Sequence, residues 1–228
     1  FKFTVFSEDI LRENGEFEYD GYTENMEAMK QKFNNDDSKL WNASLYSAWL
    51  GTLRPLLHAK PDGYPSYKLN AEWNKKSLET FTGSYAELKH DTILYAKAVM
   101  AEMGGGDMEV LDDRGYVDPE PVVYSSFVNL AANTKNGLSE YGMLDSQSQK
   151  DLDLLKDIAL NLLAISEKEL VNEELTDAEY DFIREYGGNI EHFWYEANAD
   201  NIDEQLVYSY QAPCPVIADI ATDPNGSV

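Results

Sequence analysis

Glu87, His90 and Asp91 are the residues of this chain whose types and spacing come nearest to chemistry. At i, i+3 and i+4 on a helix they are neighbours on one face, and Tyr95, four residues past Asp91, extends the stripe. An imidazole between two carboxylates favours its charged form, and such a group can move a proton or ligate a metal. Leu88, Ile93, Leu94 and Val99 make the rest of the helix apolar on most sides, which predicts burial. A buried carboxylate left unpaired costs several kcal/mol. Partners are therefore required, and His90 itself, Arg54, Lys75 and Arg114 are the candidates.

Two readings of the cluster follow. In the structural one it is a satisfied polar network that locks the helix among its neighbours. In the functional one Glu87 and His90 are half of a divalent-metal site. Their E-x-x-H spacing occurs in di-metal helical bundles, which need a second E-x-x-H and two further glutamates, and the sequence holds no second E-x-x-H. His192 and Glu196, at i and i+4, offer a complement, so Glu87, His90, His192 and Glu196 are the candidate ligands. His192 beside Phe193 and Trp194 equally reads as a packed histidine.

Other chemistry has weaker support. Glycan-cleaving sites pair an acid and a base carboxylate in an aromatic cleft. Trp41, Trp49, Trp73, Trp194 and Tyr95 supply aromatics, but most fall on apolar helical stripes where core packing explains them. Asp107, Asp112, Asp113 and Asp118 crowd one loop without the ligand spacing of a calcium hand. Phosphate loops, dinucleotide fingerprints, nucleophile elbows and H-E-x-x-H are absent from the sequence. No cofactor is expected, and a divalent metal enters only through the Glu87–His90 reading.

The formal charge of the 228 residues is −24, with 42 acidic side chains against 18 basic ones. Such a surface repels phosphate backbones and anionic membranes, so nucleic acid is excluded as a partner. A solubilising role accounts for the charge. No run is long and apolar enough to span a bilayer. Cys214, between Pro213 and Pro215, is the single cysteine, which rules out an internal disulfide and a cysteine-based metal site.

Around the cluster, residues 1–23 read as an irregular arm with a short strand at FKFTVF, and residues 24–212 as a helical domain. Within it the periodicity predicts a helix near 39–58, ended by KPDGYPSY, and a short helix around Trp73, Leu78 and Phe81. Gly83 separates that helix from the one carrying Glu87. A flexible loop spans about 104–118, and Asp118 as N-cap with Pro119 at N1 opens the next helix. The longest helix follows MLDSQSQ; Thr176 and Glu179 form a capping box for its successor, which YGGN stops. Residues 213–228 read as a β/turn tail whose hairpin partner is missing. With a chain that begins at Phe1, this predicts a piece of a larger protein.

The runs SLYSAWLGTLRPLL, LETFTGSYAELKHDTILYAK, GYVDPEPVVY and ISEKELVNEELTDAEYDFIREYG together resemble the bacterial and archaeal family known as domain of unknown function 3160. VIADIATDPNG resembles that family's next segment, and FKFTVF its start. The resemblance implies the helical portion of a longer, often exported or lipid-anchored protein, and it carries no catalytic residues with it. Two positions depart from the family's pattern, Tyr85 standing where Trp is expected and Lys89 where Arg is. A lysine cannot reproduce a planar bidentate fork.

The sequence thus predicts a mainly α, irregular antiparallel helical domain with short β segments at both ends. The expected function is a non-catalytic binding or structural module of a secreted or surface protein, meeting a glycan or other cell-surface component and the rest of its parent chain. The alternative is a metal-assisted or glycan-cleaving hydrolase with Glu87, His90 and Asp91 in its site.

Overall fold

The computed structural model describes residues 5–33, 38–93 and 114–198, with side chains described as far as 89 in the second stretch and 193 in the third. Within them the chain is helical: α1 (Val5–Glu13), α2 (Tyr22–Phe33), α3 (Ser38–Trp41), α4 (Leu45–Leu53), α5 (Ala71–Ile93), α6 (Pro121–Glu140), α7 (Ser146–Leu170) and α8 (Asp177–Asn198). Short 3₁₀ turns at Glu16–Glu18, Arg54–Leu57 and Ser66–Leu69 join some of them. No strand occurs among the described residues.

The strand expected at FKFTVF is not supported: residues 1–4 of it lie outside those described, and the rest is helical. Val5 and Phe6 open α1, because from Val5 onward the apolar residues recur at the helical i, i+4 and i+5 spacing of Phe6, Ile10 and Leu11. Lys30 of α2 ties that helix down by pairing with both Glu8 and Glu27. Arg12 lies 3.9 Å above the Phe17 ring, which meets Tyr22 edge-on at 5.2 Å. The C-terminal β/turn tail, 213–228, lies outside the described residues.

Two compact units emerge from the packing, one formed by Phe1–Phe81 with Asp112–Gly188 and the other by Thr82–Leu111 with Asn189–Val228. In the first, α6 and α7 form a helical hairpin: Lys135 late in α6 grips both oxygens of Asp153 early in α7 at 2.7 Å. Gly142, at φ +66°, makes the left-handed turn that ends α6, with Met143 N–H bonding the Leu138 carbonyl at 2.8 Å. Asp145 then caps α7, accepting from the Gln147 and Ser148 amides at 2.8 and 2.9 Å. These bonds, led by that of the Ser148 hydroxyl, hold the Asp145 carboxyl below its ordinary pKa. Val117, Ile165 and Leu175 are the centre of the core, with Tyr124, Leu162, Tyr180, Phe182 and Ile183 packed on it.

Several boundaries differ from the sequence reading, each for a local reason. The helix expected over 39–58 breaks between α3 and α4, because Ser44 and Ser47 form a reciprocal capping box that starts α4 afresh. Conversely, α5 runs through Gly83 and α8 through Gly187 and Gly188. A glycine inside a helix costs about 1 kcal/mol relative to alanine, which helices of 23 and 22 residues absorb. The capping box at Thr176 and Glu179 is present, with Thr176 N–H to Glu179 Oε2 at 2.8 Å and Glu179 N–H to Thr176 Oγ1 at 3.3 Å.

Candidate functional site

Residues 114–120, RGYVDPE, run into α6 without helical structure of their own. Asp118 and Glu120 each precede a proline, which disfavours αR for both and keeps the segment from coiling. Hence α6 begins at Pro121, with Glu120 at its N-cap (φ −132°, ψ 57°), rather than at Pro119 with Asp118 as the cap. Freed from capping, the side chains of this segment enter a hydrogen-bonded ionic site.

Glu120 is its centre. Its Oε1 accepts from Lys68 Nζ at 2.9 Å and its Oε2 from Lys60 Nζ at 2.5 Å. The three side chains are 9%, 0% and 6% exposed, so the triad is dry. Lys68 also donates to the Pro119 carbonyl at 2.9 Å, and Lys60 to the Pro55 carbonyl at 3.2 Å. Burial pushes the Lys68 amine below its ordinary pKa, while the Glu120 carboxylate opposes that shift.

The rest of the segment is pinned in the same way. Asp118 accepts from Tyr67 Oη at 3.2 Å and Lys76 Nζ at 3.1 Å. Its carbonyl accepts from Tyr124 Oη at 3.0 Å. Val117 N–H donates to Glu169 Oε1 of α7 at 2.9 Å. Desolvation raises the pKa of the Tyr67 and Tyr124 hydroxyls, and the nearby carboxylates add to the effect. Desolvation likewise raises Glu169, against the Val117 bond that lowers it. Trp73 packs edge-on against Tyr67 at 5.0 Å and carries Lys76 at 3.8 Å over its ring.

Such a triad can hold a carboxylate charged and fixed, and it gives no opening to a substrate. Sequence reasoning missed it because Glu120 lies 60 and 52 positions from Lys60 and Lys68. The available signal was the D-P-E-P run, whose paired prolines force two acidic residues onto an uncoiled backbone.

The residues singled out from the sequence fall elsewhere. Glu87 is exposed on α5, so the expected burial of the stripe does not hold there. His90 and Asp91 belong to α5, with side chains outside those described, and Tyr95 lies outside the described residues altogether. His192 is exposed on α8 with its ring 5.9 Å from that of Phe193, while the Glu196 side chain lies beyond those described. Lys89 Nζ sits 5.5 Å over the Tyr85 ring, an i, i+4 cation–π pair on α5. Arg114 pairs with Glu174, at 3.8 Å, and Lys75 with Glu72, at 3.2 Å. Of the acidic loop, Asp107, Asp112 and Asp113 are outside the described residues, and Asp118 is engaged as above.

No group of three or more His, Cys, Asp or Glu side chains among the described residues is arranged to hold a metal ion. Nor is any described helix long and apolar enough to cross a membrane. No curated protein and no solved structure matches the chain. A family model described as "Protein of unknown function (DUF3160)" matches residues 6–228. With that match running over nearly the whole sequence, the chain belongs to the DUF3160 family of proteins of unknown function.

Proposed function

We propose that this chain is a non-catalytic binding or structural module of a larger secreted or cell-surface protein. The observation that supports the reading is the buried Lys60–Glu120–Lys68 triad, in which both carboxylate oxygens already accept from ammonium groups. A general acid or base must reach the proton it transfers, and Glu120 is closed to that role. The triad instead fixes the segment that leads into α6. The charge of −24 supports a partner other than nucleic acid, such as a glycan, another cell-surface component or the rest of a parent chain.

The competing hydrolase reading draws on one observation, the exposure of Glu87 on α5. An assay of the chain on a panel of surface oligosaccharides, with and without added divalent metal, decides between the two. Reducing ends should not rise above the buffer level. Turnover that disappears in Glu87→Gln would overturn the module reading in favour of a hydrolase.

A further inference from the structure

A cavity of about 450 Å³ opens in the first unit beside residues 115–119, walled by the end of α7 and the turn into α8. Its lining includes three tyrosines, Tyr67, Tyr116 and Tyr180, and three carboxylic residues, Glu169, Glu173 and Glu174. The wall is built rather than incidental. Asn172 adopts the left-handed conformation, at φ 56°, that ends α7, and Glu173 N–H closes the turn onto the Lys168 carbonyl at 2.9 Å. Lys168 then pairs with Glu179 at 2.8 Å, tying α7 to the start of α8.

Three features of this cavity select its occupant. First, Tyr67 and Tyr116 meet edge-on with centroids 6.1 Å apart, which makes a rigid aromatic corner. Second, the chain sets a cation of its own beside the cavity: the Arg114 guanidinium is 5.2 Å from the Tyr180 ring centroid and 3.8 Å from Glu174 Oε1. Third, Glu169 Oε2 is buried and meets no donor among the described residues, although Oε1 accepts from Val117. Aromatic faces and acidic groups together suit a positive, partly apolar group, with the buried Glu169 oxygen acting through its field rather than by contact. An anion would face three carboxylic residues against one arginine. A neutral sugar would use the rings and gain nothing from the charge.

We infer that this cavity binds an organic cation, a protonated amine or quaternary ammonium group, against Tyr116 and Tyr180 and in the field of Glu169, Glu173 and Glu174. The inference deepens the binding half of the proposed function and rests on it. Arg114 competes for the same ring and the same carboxylates. The ligand's charge also favours ionisation of Glu169, whose carboxyl desolvation holds protonated to higher pH. Binding near that pKa therefore releases a proton to solvent.

Calorimetric titration of the chain with tetramethylammonium and with n-butylammonium, at constant ionic strength against sodium chloride, tests the assignment. Saturable binding of the ammonium ions and none of sodium is expected. Tyr116→Leu should weaken it roughly tenfold, as the loss of a cation–π partner does. Because Tyr116 is 64% exposed, that variant folds, whereas Tyr180 packs on the core. Arg114→Ala should tighten binding, and Glu169→Gln should weaken it and abolish the proton release. The inference is overturned if neither ammonium ion saturates, if Arg114→Ala weakens binding, or if a neutral oligosaccharide binds in their place. None of these failures touches the module reading, which stands or falls on the turnover assay.

Discussion

Lys68 Nζ, on a side chain with no exposed surface, lies 2.9 Å from Glu120 Oε1, and the two residues are 52 positions apart in sequence. The same carboxylate binds Lys60 through its other oxygen. A charge pair removed from water this completely is held by its hydrogen bonds as much as by attraction, since desolvation offsets most of the Coulombic gain. Both lysines also donate to backbone carbonyls, of Pro119 and Pro55, so the triad fastens two stretches of coil as well as three side chains.

Breaking that triad at its centre should cost far more than trimming its edge. Glu120→Gln leaves two buried ammonium groups facing an amide and is expected to lower unfolding stability by about 3–5 kcal/mol. Lys60→Met leaves the Lys68–Glu120 pair intact and should cost clearly less. Urea denaturation at neutral pH measures both. A Glu120→Gln variant within about 1 kcal/mol of the parent would show that the triad is not a stabilising centre.

Glu169 makes a prediction about pH. Its carboxyl titrates above its ordinary value of 4.5 because burial disfavours the charge. The folded chain then keeps this proton after the unfolded chain has released it, so the group's contribution to stability falls as pH rises above 4.5. Glu169→Gln keeps an acceptor for Val117 N–H and cannot ionise. Its stability relative to the parent should be level below pH 4.5 and should improve steadily as pH rises through the folded pKa. Denaturation curves at a series of pH values give the slope; a slope of opposite sign would refute the assignment.

Gly115 is a position where a methyl group has no room. A Cβ there would stand 2.8 Å from Cγ2 of Ile183, a core residue with a stiff, branched side chain. Gly115→Ala should therefore destabilise by about 1–3 kcal/mol through overpacking. Pairing it with Ile183→Leu, which moves the branch away from Cβ, should recover part of the loss in a double-mutant cycle. Thermal unfolding of the four proteins supplies the comparison, and simple additivity of the two changes would place the strain elsewhere.

What the sequence determined by itself were the local features. The helical class, the capping box at Thr176 and Glu179, and the helix that follows MLDSQSQ all depend on residues within a turn or two of each other. Family membership was legible for the same reason, in contiguous runs such as AELKHDTILYAK. The misplaced boundaries show where local rules compete. Pro121 outweighed Asp118–Pro119 as the start of α6, a serine pair split the helix expected over 39–58, and glycines at 83, 187 and 188 did not stop α5 or α8.

Which charges are buried was decided only by the tertiary structure. Glu87 has the more suggestive spacing and lies exposed, whereas Lys68 lies in an unremarkable SYKL turn and is wholly enclosed. Burial of a lysine requires a carboxylate to meet it, and Glu120 reaches it only because two prolines hold residues 118–120 out of a helix. Spacing along one helix specifies neighbours on that helix. The meeting of Lys60, Lys68 and Glu120 requires the segment after Arg114 to pass the 3₁₀ turns of a distant part of the chain, and no periodicity records that.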